Sequence, residues 1–378
     1  MKPLCLIPWT NIDISPTGKI APCCKYSVPD SELLDITKTS IAQYENSENL
    51  KQLKKQMLDN VWPDACIRCR TEEENNIKSK RQLDYDRWKE QFDNYTPDQG
   101  FITASIAFGN TCNLKCITCN SFSSSRWRKE YKDIYGKDNV PIEVIDNMTS
   151  DDIYSVLPNA IHFDIPGGEP FLSEINKQLD LLKRYVESGQ SQHMTLHYTT
   201  NAQVFPDEKW WNLWSHFKEI DMQLSIDGVG SKYEYIRYPA KTDLLETNVQ
   251  KYQCKQLLLD NFRLSVSHTL SAYNVFYLGE FFDWCERKRL PRPWIGKVHG
   301  PRHMRSDVFP SKVRKQIASH MRTSKHEDVH IWADYIENNS SDEYYNDWVK
   351  YKDKHDVYRN TNFAKTFPEL EELINGFQ

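Results

Sequence analysis

Three cysteines stand close together in Cys112-Asn-Leu-Lys-Cys116-Ile-Thr-Cys119. Thiolates are soft ligands suited to zinc and to iron–sulfur clusters. Three of them on one short loop can hold three irons of a cubane cluster and leave the fourth iron open to a ligand that is not cysteine. A structural zinc needs four ligands, and no further thiol or histidine follows nearby, so a zinc loop would have to be completed from elsewhere. A second pattern is Ile165-Pro166-Gly167-Gly168-Glu169-Pro170, the only Gly-Gly in a chain of 13 glycines. Two glycines let a backbone approach a ligand closely, and Glu169 adds an anion. Read alone, this is also an ordinary turn between a strand and a helix. A third group comprises Cys5, Cys23-Cys24 and Cys66-Ile-Arg-Cys69. Cys254 and Cys285 fall in helical patterns and read as buried apolar thiols.

The elements that position these residues follow from periodicity. Between 101 and 300, apolar runs at 102–109, 161–165, 194–200, 220–226, 262–270 and, weakly, 294–300 read as strands. Helical patterns lie between them at 123–135, 173–188, 207–217, 243–258 and 275–289. Alternation of this kind implies parallel βαβ units with right-handed crossovers. Six units make an incomplete barrel or an open sheet, and either binds ligands at the C-terminal ends of its strands. The three-cysteine loop follows the first strand and the Gly-Gly turn follows the second. Residues 1–99 read as a unit of their own, with a hairpin around Pro16-Thr17-Gly18. A helix over 47–59, capped by Ser47, puts Leu50, Leu53, Met57 and Leu58 on one face. Residues 94–100 have linker composition, and 301–378 read as helices and loops.

The 378 residues suggest two to three domains. A net charge of −5 argues against chain-wide affinity for nucleic acid or acidic membranes. No apolar run approaches the ~18 residues of a membrane span, and the start turns polar too soon for a signal peptide. A soluble, cytoplasmic protein is expected, and clustered cysteines in such a compartment point to metal or redox chemistry rather than disulfides.

The cysteine loop and the GGEP turn, in this order and context, resemble radical S-adenosylmethionine (SAM) enzymes over about residues 100–300. The resemblance implies an α/β fold: a partial (β/α)6 parallel barrel with an N-terminal cysteine-rich module and a helical C-terminal extension, divided as 1–99, 100–300 and 301–378. It implies that Cys112, Cys116 and Cys119 bind a 4Fe–4S cluster whose open iron takes SAM. Gly167, Gly168 and Glu169 would meet the methionyl amino group. Asn201, and Ser225 with Asp227, match places where the family contacts ribose and carboxylate; plain turn and cap roles are the alternative for these three. The residue before the third cysteine is commonly aromatic in the family and is Thr118 here. The N-terminal cysteines resemble the twitch or SPASM auxiliary-cluster module, which usually follows the barrel and here precedes it. Its ligands would be Cys5, Cys66, Cys69 and one of Cys23 and Cys24, with Cys23 favoured because it follows Pro22. Four thiolates suit zinc equally well.

The implied reaction is one-electron reduction of the cluster, cleavage of SAM to methionine and a 5′-deoxyadenosyl radical, and hydrogen abstraction from a substrate. The expected substrate is a peptide or protein, with a small molecule such as a sugar or nucleotide as the alternative. A non-catalytic iron–sulfur or zinc protein is the reading outside this class. A flavodoxin or ferredoxin would supply the electron. Arg302, His303 and Arg305 read as a solvated loop that could face substrate, and His162 and His197 as satisfied structural histidines.

Overall fold

Residues 11–14 alternate polar and apolar, and in the computed structural model they form strand β1 (Asn11–Ile14), with Ile12 and Ile14 buried. The structure describes residues 3–74, 78–136 and 149–376. Contacts divide the chain into two compact units. The first comprises Met1–Thr111, Pro141–Tyr198 and Pro206–Ile220; the second comprises Cys112–Val140, Thr199–Phe205 and Asp221–Gln378.

In the first unit, β1 pairs antiparallel with β2 (Lys19–Ala21), and β2 pairs antiparallel with β3 (Leu34–Asp35). The turn between β1 and β2 contains Gly18 at φ +78°, a conformation that favours glycine. On its other side β1 runs parallel to β4 (Thr103–Ile106), which is followed by β5 (His162–Ile165) and β6 (Thr195–Thr200). The N-terminal hairpin therefore extends the parallel sheet. The helix Glu48–Leu58 begins at Ser47, whose hydroxyl accepts from Leu50 N. It buries Leu50, Leu53 and Met57. Leu58, expected on the same face, is 69% exposed, at the last helical residue, one position past the buried Met57. Helix Ile175–Glu187 buries Leu181, Leu182 and Tyr185.

The second unit carries β8 (Phe262–Leu270) parallel to β9 (Trp294–Lys297), with most of β7 (Glu219–Ser225). Helices Thr242–Leu258 and Leu278–Arg287 separate these strands in the chain. Strands fall at the six expected places, and the pairs β4 with β5, β5 with β6 and β8 with β9 are parallel. From residue 311 the chain is helical, with its longest segment Tyr345–Arg359. Of the two cysteines expected as buried apolar thiols, Cys285 is buried and Cys254 is exposed. Cys254 lies off the face that buries Leu245, Val249 and Tyr252. No helix of the described residues is long and apolar enough to cross a membrane.

Candidate metal and cofactor sites

The three-cysteine loop lies in the second unit and is held by its own backbone groups. Lys115 N and Ile117 N donate to Tyr238 O and Ile236 O, each at 2.7 Å. The carbonyls of residues 114–117 are all taken by side chains: Leu114 O by Ser124 Oγ at 2.6 Å, Lys115 O by Arg359 Nη2 at 2.8 Å, Cys116 O by Trp127 Nε1 at 3.1 Å and Ile117 O by Tyr351 OH at 3.2 Å. Leu114 and Ile117 are buried, which anchors the loop between its thiols.

Behind the loop sits Glu130, with its side chain fully buried. Its carboxylate meets His355 Nδ1, Arg359 Nε and Lys115 Nζ, each at 2.7 Å. Burial pushes this carboxyl up, but the hydrogen bond from His355 and the charge of Arg359 outweigh it and hold it at about 2. The Arg359 guanidinium also stacks over Trp127 at 4.9 Å and Tyr238 at 5.1 Å. Sequence reasoning missed Glu130, Tyr351 and Arg359, because residues more than 200 positions apart carry no local signal.

Burial pushes the thiol of Cys116 up to about 12 and that of Cys119 to about 11. Without a metal these thiols keep their protons, and a metal replaces them on binding. Arg237, also missed, opposes the shift at both sulfurs. It is buried and pairs with Asp227 at 2.8 Å.

The remaining expected residues of the second unit are placed as follows. Asn201 donates to Asn113 Oδ1 at 2.7 Å, lies 3.9 Å from Cys112 Sγ and accepts from Gln203 N at 2.8 Å. Ser225 Oγ is 3.3 Å from Ser267 Oγ. Asp227 accepts from Thr269 N at 2.8 Å besides its pair with Arg237. Arg305 grips Asp307 with two bonds, Arg302 donates to Tyr344 OH, and the His303 ring lies tilted 4.9 Å from that of Tyr351.

In the first unit, the GGEP turn rests on the chain that leads into the cysteine loop. Gly168 N donates to Gly109 O at 3.2 Å and Glu169 N to Thr111 O at 2.8 Å. A Cβ on Gly168 would lie 2.3 Å from Thr111 O. Gly167, at φ +147°, would put one 2.9 Å from Gly109 O. The close approach these glycines permit is thus to the protein's own backbone. Glu169 is fully buried.

Cys5, Cys23, Cys66 and Cys69 line one cavity, together with Trp62, Lys80 and Arg81. Cys24 lines a different one. The first cavity has its own buried glutamate: Glu73 accepts from Arg81 Nε and from Ser79 Oγ, each at 2.6 Å, and Arg81 Nη1 reaches Leu4 O at 2.8 Å. Burial pushes Cys5 up to about 12 and Cys66 to about 11. The donor set, four thiols lining one cavity, fits a metal cluster. Elsewhere, Asp283, Glu286 and His326 approach one another, but Lys325 pairs with both carboxylates and they form a surface ion-pair network.

Comparison with known proteins yields one family. Residues 5–70 match the iron–sulfur cluster-binding domain SPASM. None of the curated proteins matches the chain. Among solved structures the chain is similar to histidine-tagged anSMEcpe with bound AdoMet, at 15% identity over 58% of this chain and 55% of that one, with a TM-score of 0.42. It is also similar to Streptococcus suis SuiB bound to precursor peptide SuiA, at 13% identity over 87% and 64%, with a TM-score of 0.38. A third is TYW1 with a lysine-pyruvate adduct, at 15% over 59% and 74%, with a TM-score of 0.34. The chain thus spans little more than half of the first of these, and likenesses this distant assign no activity. The SPASM match, joined to the cysteine loop and the GGEP turn, supports a radical SAM protein with a SPASM-type iron–sulfur module.

Proposed function

We propose that the chain is a radical SAM enzyme that modifies a peptide or protein by hydrogen abstraction. The cluster and SAM, when bound, supply the one-electron cleavage that yields methionine and a 5′-deoxyadenosyl radical. The chain's own residues hold and orient them. Cys112, Cys116 and Cys119 hold the 4Fe–4S cluster. Gly167, Gly168 and Glu169 receive the methionyl amino group, with Glu169 removed from competing water. Asn201, Ser225 and Asp227 serve the ribose and carboxylate side, Asn201 also bracing Asn113. Cys5, Cys23, Cys66 and Cys69 hold an auxiliary 4Fe–4S cluster, and a flavodoxin- or ferredoxin-like donor supplies electrons.

The observation that carries this reading is the cysteine loop, whose four central carbonyls are satisfied by the protein itself. Such a loop needs no metal for its backbone and so presents ligands ready-made. The peptide substrate rests on the SPASM match, since proteins that this module resembles often act on peptides. We also propose the division 1–99, 100–300 and 301–378 as the functional layout.

The test is SAM binding to anaerobically reconstituted protein, by calorimetry, in wild type and Glu169→Gln. A charge-assisted hydrogen bond contributes ~1.5–3 kcal/mol. Affinity should fall about ten- to a hundredfold while the cluster still assembles, at ~1.4 kcal/mol per factor of ten. Unchanged affinity removes Glu169 from the site. Co-expression with candidate peptides, read by mass spectrometry, tests the substrate class.

A further inference from the structure

Strand register in the first unit aligns Asn11, Thr103 and His162 in one row and Asp13, Ser105, Asp164 and His197 in the next. Both rows line one cavity of about 150 Å³, with room for several water-sized groups. The intervening residues Ile12, Ala104, Phe163 and Leu196 are apolar and at most 1% exposed. One face of these strands is therefore core. The other is polar, where a parallel barrel ordinarily packs branched apolar side chains.

The charges in this cavity do not balance. Asp13 and Asp164 line it from the strands, and Lys80, Asp84 and Arg87 line it from the helix Lys80–Arg87. Lys80 Nζ is 2.7 Å from Asp84 Oδ2, and the Arg87 guanidinium lies 5.0 Å from the Trp88 ring centre. That is three carboxylates to two cations. The Ser105 hydroxyl bonds to Asp13 and also approaches Asp164 Oδ2 at 3.4 Å. It has one proton and serves one of them at a time. Burial, and then the charge of Asp164, push the Asp13 carboxyl up to about 6. In the neighbouring row, His162 Nδ1 is sealed from solvent and has no hydrogen-bond partner. The expectation of a satisfied structural histidine fails here. Burial keeps this ring neutral, and its backbone bond is to Thr195. The other ring nitrogen makes that bond, which leaves Nδ1 as an acceptor. By the count of charges that line it, the cavity lacks one positive charge.

We propose that this cavity binds a primary ammonium group of the substrate, carried on a lysine side chain or as a free amino terminus. Asp13 and Asp164 take its charge. This deepens the substrate side of the proposed function but is tested without reduction or SAM cleavage, so either can fail alone.

The probes are N-acetyl-lysine amide, alanine amide and N-acetyl-norleucine amide, added anaerobically to the cluster-loaded protein and read by calorimetry and thermal melting. The lysine or the alanine probe should bind and raise the melting midpoint, and the one that does so identifies the source of the amine. The uncharged norleucine probe should bind about tenfold or more weakly. Asp164→Asn should lose this binding, and its own unliganded midpoint should rise, because the unbalanced charge is gone. Asp13→Asn repeats the test should that variant not fold. Equal binding of the norleucine probe, binding by neither amine, or retained amine affinity in the asparagine variant would overturn the proposal. So would a lower unliganded midpoint in both variants, which would make the carboxylates props of the fold.

Discussion

The loop at 112–119 displays three thiols from eight consecutive residues, whereas the N-terminal cavity gathers Cys5, Cys23, Cys66 and Cys69 from separate points in its segment. Each is backed by a buried glutamate that grips an arginine. Glu73 and Arg81 are eight positions apart, and Glu130 and Arg359 are 229 apart. The N-terminal brace is local and can form as soon as its own segment folds. The brace behind the loop needs the helix Tyr345–Arg359 in place. The difference teaches where metal enters the folding of each. The loop's backbone is organised by the protein, and metal adds charge compensation. Cys5, Cys23 and the Cys66–Cys69 pair come from three separate segments, so a cluster held there would act as a cross-link and carry folding energy.

The widest contrast is between removing thiols from one place and from the other. Cys116→Ala should abolish formation of 5′-deoxyadenosine in anaerobically reconstituted, reduced protein while the circular dichroism of the fold persists. Cys66→Ser with Cys69→Ser should lower iron from about eight to about four per chain, taking four per cubane. It should also loosen residues 5–70 to proteolysis and leave some SAM cleavage. Iron content at the wild-type level, or one zinc dependent on Cys66 and Cys69, would break the comparison.

A smaller effect is expected behind the loop. Holding the Glu130 carboxyl at about 2 rather than 4.5 corresponds to about 3 kcal/mol at ~1.36 kcal/mol per pH unit. Glu130→Gln should cost that much in anaerobic denaturant unfolding near neutral pH. The sign follows from the depressed value. The contribution is complete above 4.5 and is lost as pH falls through about 2, so wild type and variant should converge in acid. A constant gap down to pH 2 would mean that packing, rather than charge, makes Glu130 important.

What sequence made legible follows the range of the interaction. Strand and helix positions are set by local periodicity, and strands are found at the six expected places, as is the Ser47 cap. The three-cysteine loop and the GGEP turn were legible because their residue types and spacing are contiguous. The pairing of β1 with β4 was not, since about 90 residues separate Asn11 from Thr103. Neither was Arg237, whose importance lies in being buried near Cys116, nor the clasp of Tyr351 and Arg359. The polar row Asp13, Ser105, Asp164 and His197 is written one residue per strand, and only the register reveals it.

The smallest expected effect sharpens the comparison at Cys23-Cys24. These neighbours line different cavities, Cys23 with the other three N-terminal thiols and Cys24 with the polar rows of the sheet. Both sit in the turn after β2, where Tyr26 N donates to Cys23 O, and they line different cavities, so one metal site does not take both. Cys24→Ser should leave iron content and the visible absorption of the reconstituted protein unchanged, whereas Cys23→Ser should reduce both as the Cys66 and Cys69 substitutions do. Serine is nearly isosteric with cysteine and suits a polar surrounding, so stability should move by no more than ~0.5 kcal/mol. Equal iron loss in the two variants would mean that the ligand can exchange between neighbours. Loss in Cys24→Ser alone would move the auxiliary site to the polar cavity side and leave Cys23 as the spare thiol.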